Sequence, residues 1–85
     1  MKGVYLLCTI GKGETADRAF AAAVKTFHDR YGSLPAQVQI SVRADGQTSA
    51  VIEALARKVG METERLPYIL PRDFALGPVP DGRRP

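Results

Sequence analysis

The stretch that most limits the fold is Val4–Tyr31. Val4-Tyr5-Leu6-Leu7-Cys8-Thr9-Ile10 is an unbroken apolar run. Gly11-Lys12-Gly13-Glu14-Thr15 is a glycine-punctuated turn, and Ala16–Tyr31 has the spacing of an amphipathic helix. Strand, tight loop and helix in this order form the first half of a βαβ unit. Both faces of the strand are apolar: Val4, Leu6, Cys8 and Ile10 on one side, Tyr5, Leu7 and Thr9 on the other. That pattern is expected of a strand covered on both sides, as inside a parallel sheet.

The helix has an apolar stripe of Ala16, Ala19, Phe20, Ala23, Val24, Phe27 and Tyr31. Thr15 stands at the N-cap position, and Asp17 places a negative charge in the first turn, where the helix dipole favours it. Gly32 is a natural left-handed terminator, and Pro35 prevents the helix from resuming. Val38, Ile40 and Val42 then alternate with Gln37, Gln39, Ser41 and Arg43, the signature of a strand with one buried and one wet face. Asp45 is the expected cap of a second helix, whose stripe is Val51, Ile52, Leu55, Ala56 and Val59 and whose end is Gly60. Glu53 stands four residues before Arg57, a favourable helical pair. Glu62–Leu70 alternates loosely, and Pro67, which cannot donate to a ladder, places this third strand at an edge or makes it partly irregular.

From Pro71 onward proline and glycine crowd the chain and the regular pattern ends. The expected architecture is therefore a small α/β domain, βαβαβ, with a mostly parallel three-stranded sheet and two helices. It spans residues 1–70. Residues 71–85 are expected to form an irregular Pro/Gly-rich tail, partly packed and then frayed. Right-handed crossovers leave two strand orders. Order 2-1-3 places the helices on opposite faces, and order 1-2-3 places them on one. The two-sided apolar first strand and half-polar second strand favour 2-1-3. A three-stranded sheet leaves apolar surface uncovered, which points to a homo-oligomer or a protein partner.

With 85 residues the chain buries roughly 60–65% of its unfolded surface, enough for one modest core. The net charge is +3, but basic and acidic residues alternate without a basic run. One cysteine allows no intrachain disulfide and suits a cytoplasmic setting. Lys2 followed by Val4–Ile10 imitates the start of a signal peptide, but the run is short and ends in the charges of Lys12 and Glu14. Nothing approaches the ~20 apolar residues of a membrane span, so no membrane partner is expected.

Three chemical readings arise. Gly11, Lys12, Gly13 and Thr15 fit a loose G-x-G-x-x-A pattern in the strand-to-helix context that cradles phosphate on backbone N–H groups. Against a phosphate stand Glu14 and the absence of a well-placed ribose-binding acid. Arg43, Arg57, Lys58 and Arg65 would form a basic nucleic-acid surface, with Tyr5 or Tyr68 for stacking, though no recognised nucleic-acid signature accompanies them. Cys8 and His28, the only cysteine and the only histidine, would be a nucleophile–base pair if brought together, but a cysteine in an apolar strand is ordinarily inert. No catalytic residue, metal ligand or cofactor is assigned. The expected role is a non-enzymatic binding or assembly module, with phosphate or nucleotide binding as the alternative and nucleic-acid binding third.

Overall fold

A computed structural model describes residues 4–80. The elements run β1 (Leu6–Thr9), α1 (Ala16–Tyr31), β2 (Gln37–Ser41), α2 (Gly46–Lys58), β3 (Glu62–Leu66) and β4 (Asp73–Gly77). The four strands form one mixed sheet in the order β1-β4-β2-β3. β2 and β3 pair in parallel, while β4 runs antiparallel to both of its neighbours, β1 and β2.

This corrects the expected three-stranded, mostly parallel sheet of order 2-1-3. The difference lies in Asp73-Phe74-Ala75-Leu76-Gly77, within the stretch expected to be an irregular tail. Pro71, Gly77 and Pro78 crowd this strand, and its Phe74-Ala75-Leu76 centre is an apolar run without alternation, so it has the composition of a tail rather than the pattern of a half-buried strand. Yet Phe74 and Leu76 are fully buried, and the strand is inserted between β1 and β2. The second consequence concerns β1. It was expected at the centre and stands at an edge. The half-polar β2 lies inside the sheet. β3 occupies the other edge. The expected fraying of residues 81–85 lies outside the described residues.

Both crossovers, β1 to β2 and β2 to β3, move across the sheet in the same direction. With one handedness, both helices must lie on one face. The core confirms it: Ala19, Phe20, Ala23, Phe27 and Tyr31 of α1 and Ile52 and Ala56 of α2 share one cluster with Val38, Ile40, Phe74 and Leu76. The opposite sheet face has no second layer among the described residues. It carries Tyr5, Leu7 and Thr9 from the β1 segment, Asp73, Ala75 and Gly77 from β4, Gln37 and Gln39 from β2, and Glu62 and Glu64 from β3. Two-sided apolarity in β1 thus has two causes. Leu6, Cys8 and Ile10 pack toward the helices, whereas Leu7 on the other face is 63% exposed.

α1 has the bounds its stripe predicts, and Gly32 closes it at φ 75°. Its start differs in detail. Thr15 occupies the N-cap position, but its hydroxyl makes no bond to a helix amide. The hydroxyl instead hydrogen-bonds Asp17, the largest of the causes that hold this carboxyl below its usual range. In α2, Asp45 caps as expected, accepting from the Thr48 amide at 2.7 Å. Glu53 does not pair with Arg57. It accepts from Arg65 of β3, with Nε at 3.0 Å, so a tertiary contact replaces the local one.

Gly77 is a position of close approach. The Tyr5 ring lies across it, and a Cβ built at residue 77 would fall 2.7 Å from Tyr5 Cδ2. The ring cannot swing away freely, because its hydroxyl donates to Gln37 Oε1 on the far side of β4. Gly77→Ala should therefore destabilise the protein by about 1–2 kcal/mol. Overpacking outweighs the few tenths to ~1 kcal/mol gained by restricting the unfolded chain. Chemical denaturation of the single and double variants checks this. In a Tyr5→Ala background the same substitution should become neutral or stabilising.

Candidate functional site

The Gly11–Thr15 turn connects β1 to α1, at the ends of the strands where open α/β sheets commonly bind ligands. Gly13 adopts φ 82°, which glycine reaches without strain. The Gly11 amide donates to Glu14 Oε1 at 2.8 Å, and the Glu14 amide donates back to the Gly11 carbonyl at 2.9 Å. A carboxylate of the chain itself thus occupies the amide that a phosphate would take. Arg72, from the connection between β3 and β4, donates through Nε to the Ile10 carbonyl at 3.0 Å and through Nη2 to the Gly11 carbonyl at 2.8 Å. These bonds fix the end of β1. Lys12 is exposed beside them.

The four basic candidates are spread over the molecule. Arg43 lies in the turn before α2, its amide donating to Ser41 Oγ at 2.9 Å. Arg57 and Lys58 end the 13-residue helix α2, about 18 Å further along its axis. Arg65 is engaged by Glu53. Arg57 and Glu53 line a shallow depression with Met61 and Thr63. Lys58 borders a different feature, an apolar groove of about 430 Å³ between α1 and α2. The structure therefore brings Arg57 near Arg65 through their shared neighbour Glu53, and leaves Arg43 at the opposite end of the helix.

Cys8 is half-buried, with its thiol 3.7 Å from the Leu6 carbonyl. Burial, and then the negative charge of Asp73, push its pKa up and keep it as thiol. His28 is exposed on α1. Among the described residues no group of three or more His, Cys, Asp or Glu side chains is placed to hold a metal ion. No helix among them is long and apolar enough to cross a membrane.

The most distinctive chemical surface is the edge of β1, which no strand covers among the described residues. Ile10 donates to Arg72 O at 2.8 Å, so its backbone polar groups point toward β4. Alternation in an antiparallel pair then directs those of Leu6 and Cys8 inward as well. The N–H and C=O groups of Tyr5, Leu7 and Thr9 consequently point outward from the sheet. No charged residue occurs from Val4 to Ile10. Edge strands commonly carry charges that deter pairing, and β3 does so with Glu62, Glu64 and Arg65. β1 has no such protection. Beside it, Leu6, Leu7, Cys8 and Thr9 form one wall of a groove of about 270 Å³, and Ala19, Ala22, Ala23 and Thr26 of α1 form the other. Glu14 closes one end. Val4, 70% exposed, and Leu7 add apolar surface at the rim.

The apolar run that builds this edge was visible in the sequence. Its edge position was not, because that depends on β4 being inserted beside it. The fold is a two-layer α/β sandwich with one open sheet face, and its candidate site is a strand edge backed by a helix. The chain matches no protein-family model, no curated protein and no solved structure.

Proposed function

We propose that the protein is a non-enzymatic binding module that docks an extended segment on the free edge of β1, with side chains of that segment entering the groove against α1. One observation carries this reading: an edge strand without charge presents three residues' backbone donors and acceptors beside a groove walled by small and mixed apolar and polar side chains. In strand addition the main-chain hydrogen bonds supply attachment, and pockets for alternate side chains supply selectivity. Ala22 and Thr26 are exposed and small, so the helix wall leaves room for side chains from an added strand.

The test is an amide NMR titration of dilute labelled protein with a blocked octapeptide of alternating valine and threonine. Saturable shifts should centre on Tyr5, Leu7 and Thr9 and extend to Ala22 and Thr26. Shifts confined to other surfaces, or none at all up to millimolar peptide, would remove the reading. Leu7→Lys, at an exposed position, should keep the fold and weaken peptide binding at least tenfold by placing a charge on the docking edge.

A further inference from the structure

We infer that the segment received by the β1 edge is the β1 strand of a second copy, paired antiparallel about a twofold axis at Leu7. This rests on the reading of β1 as a docking edge and adds the identity and register of the occupant.

The register follows from the backbone. Antiparallel self-pairing requires that the residues on either side of the axis both direct their polar groups outward. Leu7 satisfies this on the axis, and Tyr5 and Thr9 satisfy it symmetrically around it. Leu7 then faces Leu7 of the second copy, Tyr5 faces its Thr9, and Thr9 faces its Tyr5. Up to about six interstrand hydrogen bonds form, and two four-stranded sheets become one continuous sheet. On the helix side of the new ladder, Leu6 meets Cys8 of the second copy, and both enter the joined grooves. On the open side the two Leu7 side chains cover each other. With no charge from Val4 to Ile10, the strand meets its own copy without repulsion. The β3 edge would set Glu62 and Glu64 against their own copies.

The helix layer fits the same symmetry. α1 packs over both β1 and β4. Strands spaced about 4.8 Å apart then bring the two α1 helices to about 10 Å across the axis, within ordinary helix-packing range. The flank they turn toward each other carries Ala22 and Thr26, with Arg18 one turn before and Asp29 one turn after. Antiparallel helices bring Arg18 of one copy toward Asp29 of the other, a carboxylate that Lys25 of its own helix already engages through Oδ2 at 2.9 Å, so Arg18 would share it. Stable pairs bury about 800 Å² per partner. A short strand edge alone does not reach that area, and the α1 flank adds contact surface to it.

Sedimentation of the full chain across micromolar to millimolar concentrations, combined with cysteine trapping, tests the inference. The mass should rise from one chain to two. In a Cys8→Ser background, Leu7→Cys should form an interchain disulfide on mild oxidation, since facing hydrogen-bonded residues are about 5.5 Å apart at Cα. Thr9→Cys in the same background should cross-link at least tenfold more slowly, because its two copies lie roughly 14 Å apart. Leu7→Lys should weaken the dimer at least tenfold while keeping the monomer's circular dichroism. A monomer at every concentration overturns self-pairing, and the docking-edge reading then stands or falls by the octapeptide titration alone. A dimer that cross-links faster through Thr9→Cys overturns the register. A dimer indifferent to Leu7→Lys lies on another face and overturns the inference, again leaving the docking edge to the titration.

Discussion

A chain truncated after Pro71 is expected to be unfolded. The truncation removes β4, which hydrogen-bonds to β1 on one side and to β2 on the other. Among the described residues β1 has no other strand neighbour, so its inward-directed backbone groups lose their partners together. Phe74 and Leu76 are wholly buried, and Phe74 packs on Phe20 with ring centroids 6.0 Å apart. Truncating either side chain to alanine should itself cost about 2–5 kcal/mol. An 85-residue domain has roughly 4–13 kcal/mol of total stability. Losing both side chains and two hydrogen-bond ladders exceeds it. Thermal circular dichroism and amide NMR dispersion are the measurements. A cooperative melt and dispersed amides in the truncated chain would contradict β4's central position.

Phe27→Ala should be the most costly single substitution in α1, at about 3–5 kcal/mol. Phe27 is 0% exposed, in the stripe that meets the sheet, and its ring packs tilted against Tyr31 with centroids 4.8 Å apart. For a domain this small, each kcal/mol lowers the melting temperature by about 4–8 °C. A fall of at least about 12 °C is therefore expected. Val59 is the control. It belongs to the apolar stripe of α2 by spacing, yet it is 50% exposed beside the groove between the helices. Val59→Ala should change stability by no more than about 0.5 kcal/mol. Equal losses at the two positions would show that stripe membership, not burial, sets the cost.

These two substitutions show what periodicity can and cannot convey. A stripe identifies the side of a helix that faces the protein. It does not tell how deeply each member is covered, because that depends on the neighbouring elements. The charged residues follow the same rule. Glu53 has Arg57 in range along its own helix, but Arg65 on β3 is the partner it takes. Likewise Gly11 and Gly13 form the turn their spacing implies, while Glu14 and Arg72 occupy its polar groups from within the chain. Arg72 comes from 61 residues further along, and no local pattern announces it.

The candidate site divides in the same way. Its uncharged strand is evident as Val4–Ile10, but two apolar faces imply layers on both sides. In the structure one face is covered by helices and the other is open, with Leu7 upon it.

The sequence by itself determined the elements whose stabilising contacts are local. These are α1 with its glycine stop and α2 with its Asp45 cap; the alternation of Val38, Ile40 and Val42 likewise marked β2 as a strand, though not its partners. Such signals depend on neighbours within about four residues, through helical periodicity and capping. Only the tertiary structure decided which strands adjoin, that Asp73–Gly77 is the strand that links them, and that β1 ends as an uncharged free edge. Strand pairing joins residues far apart in the chain, and a five-residue strand between prolines leaves almost no local trace of the partners it will meet.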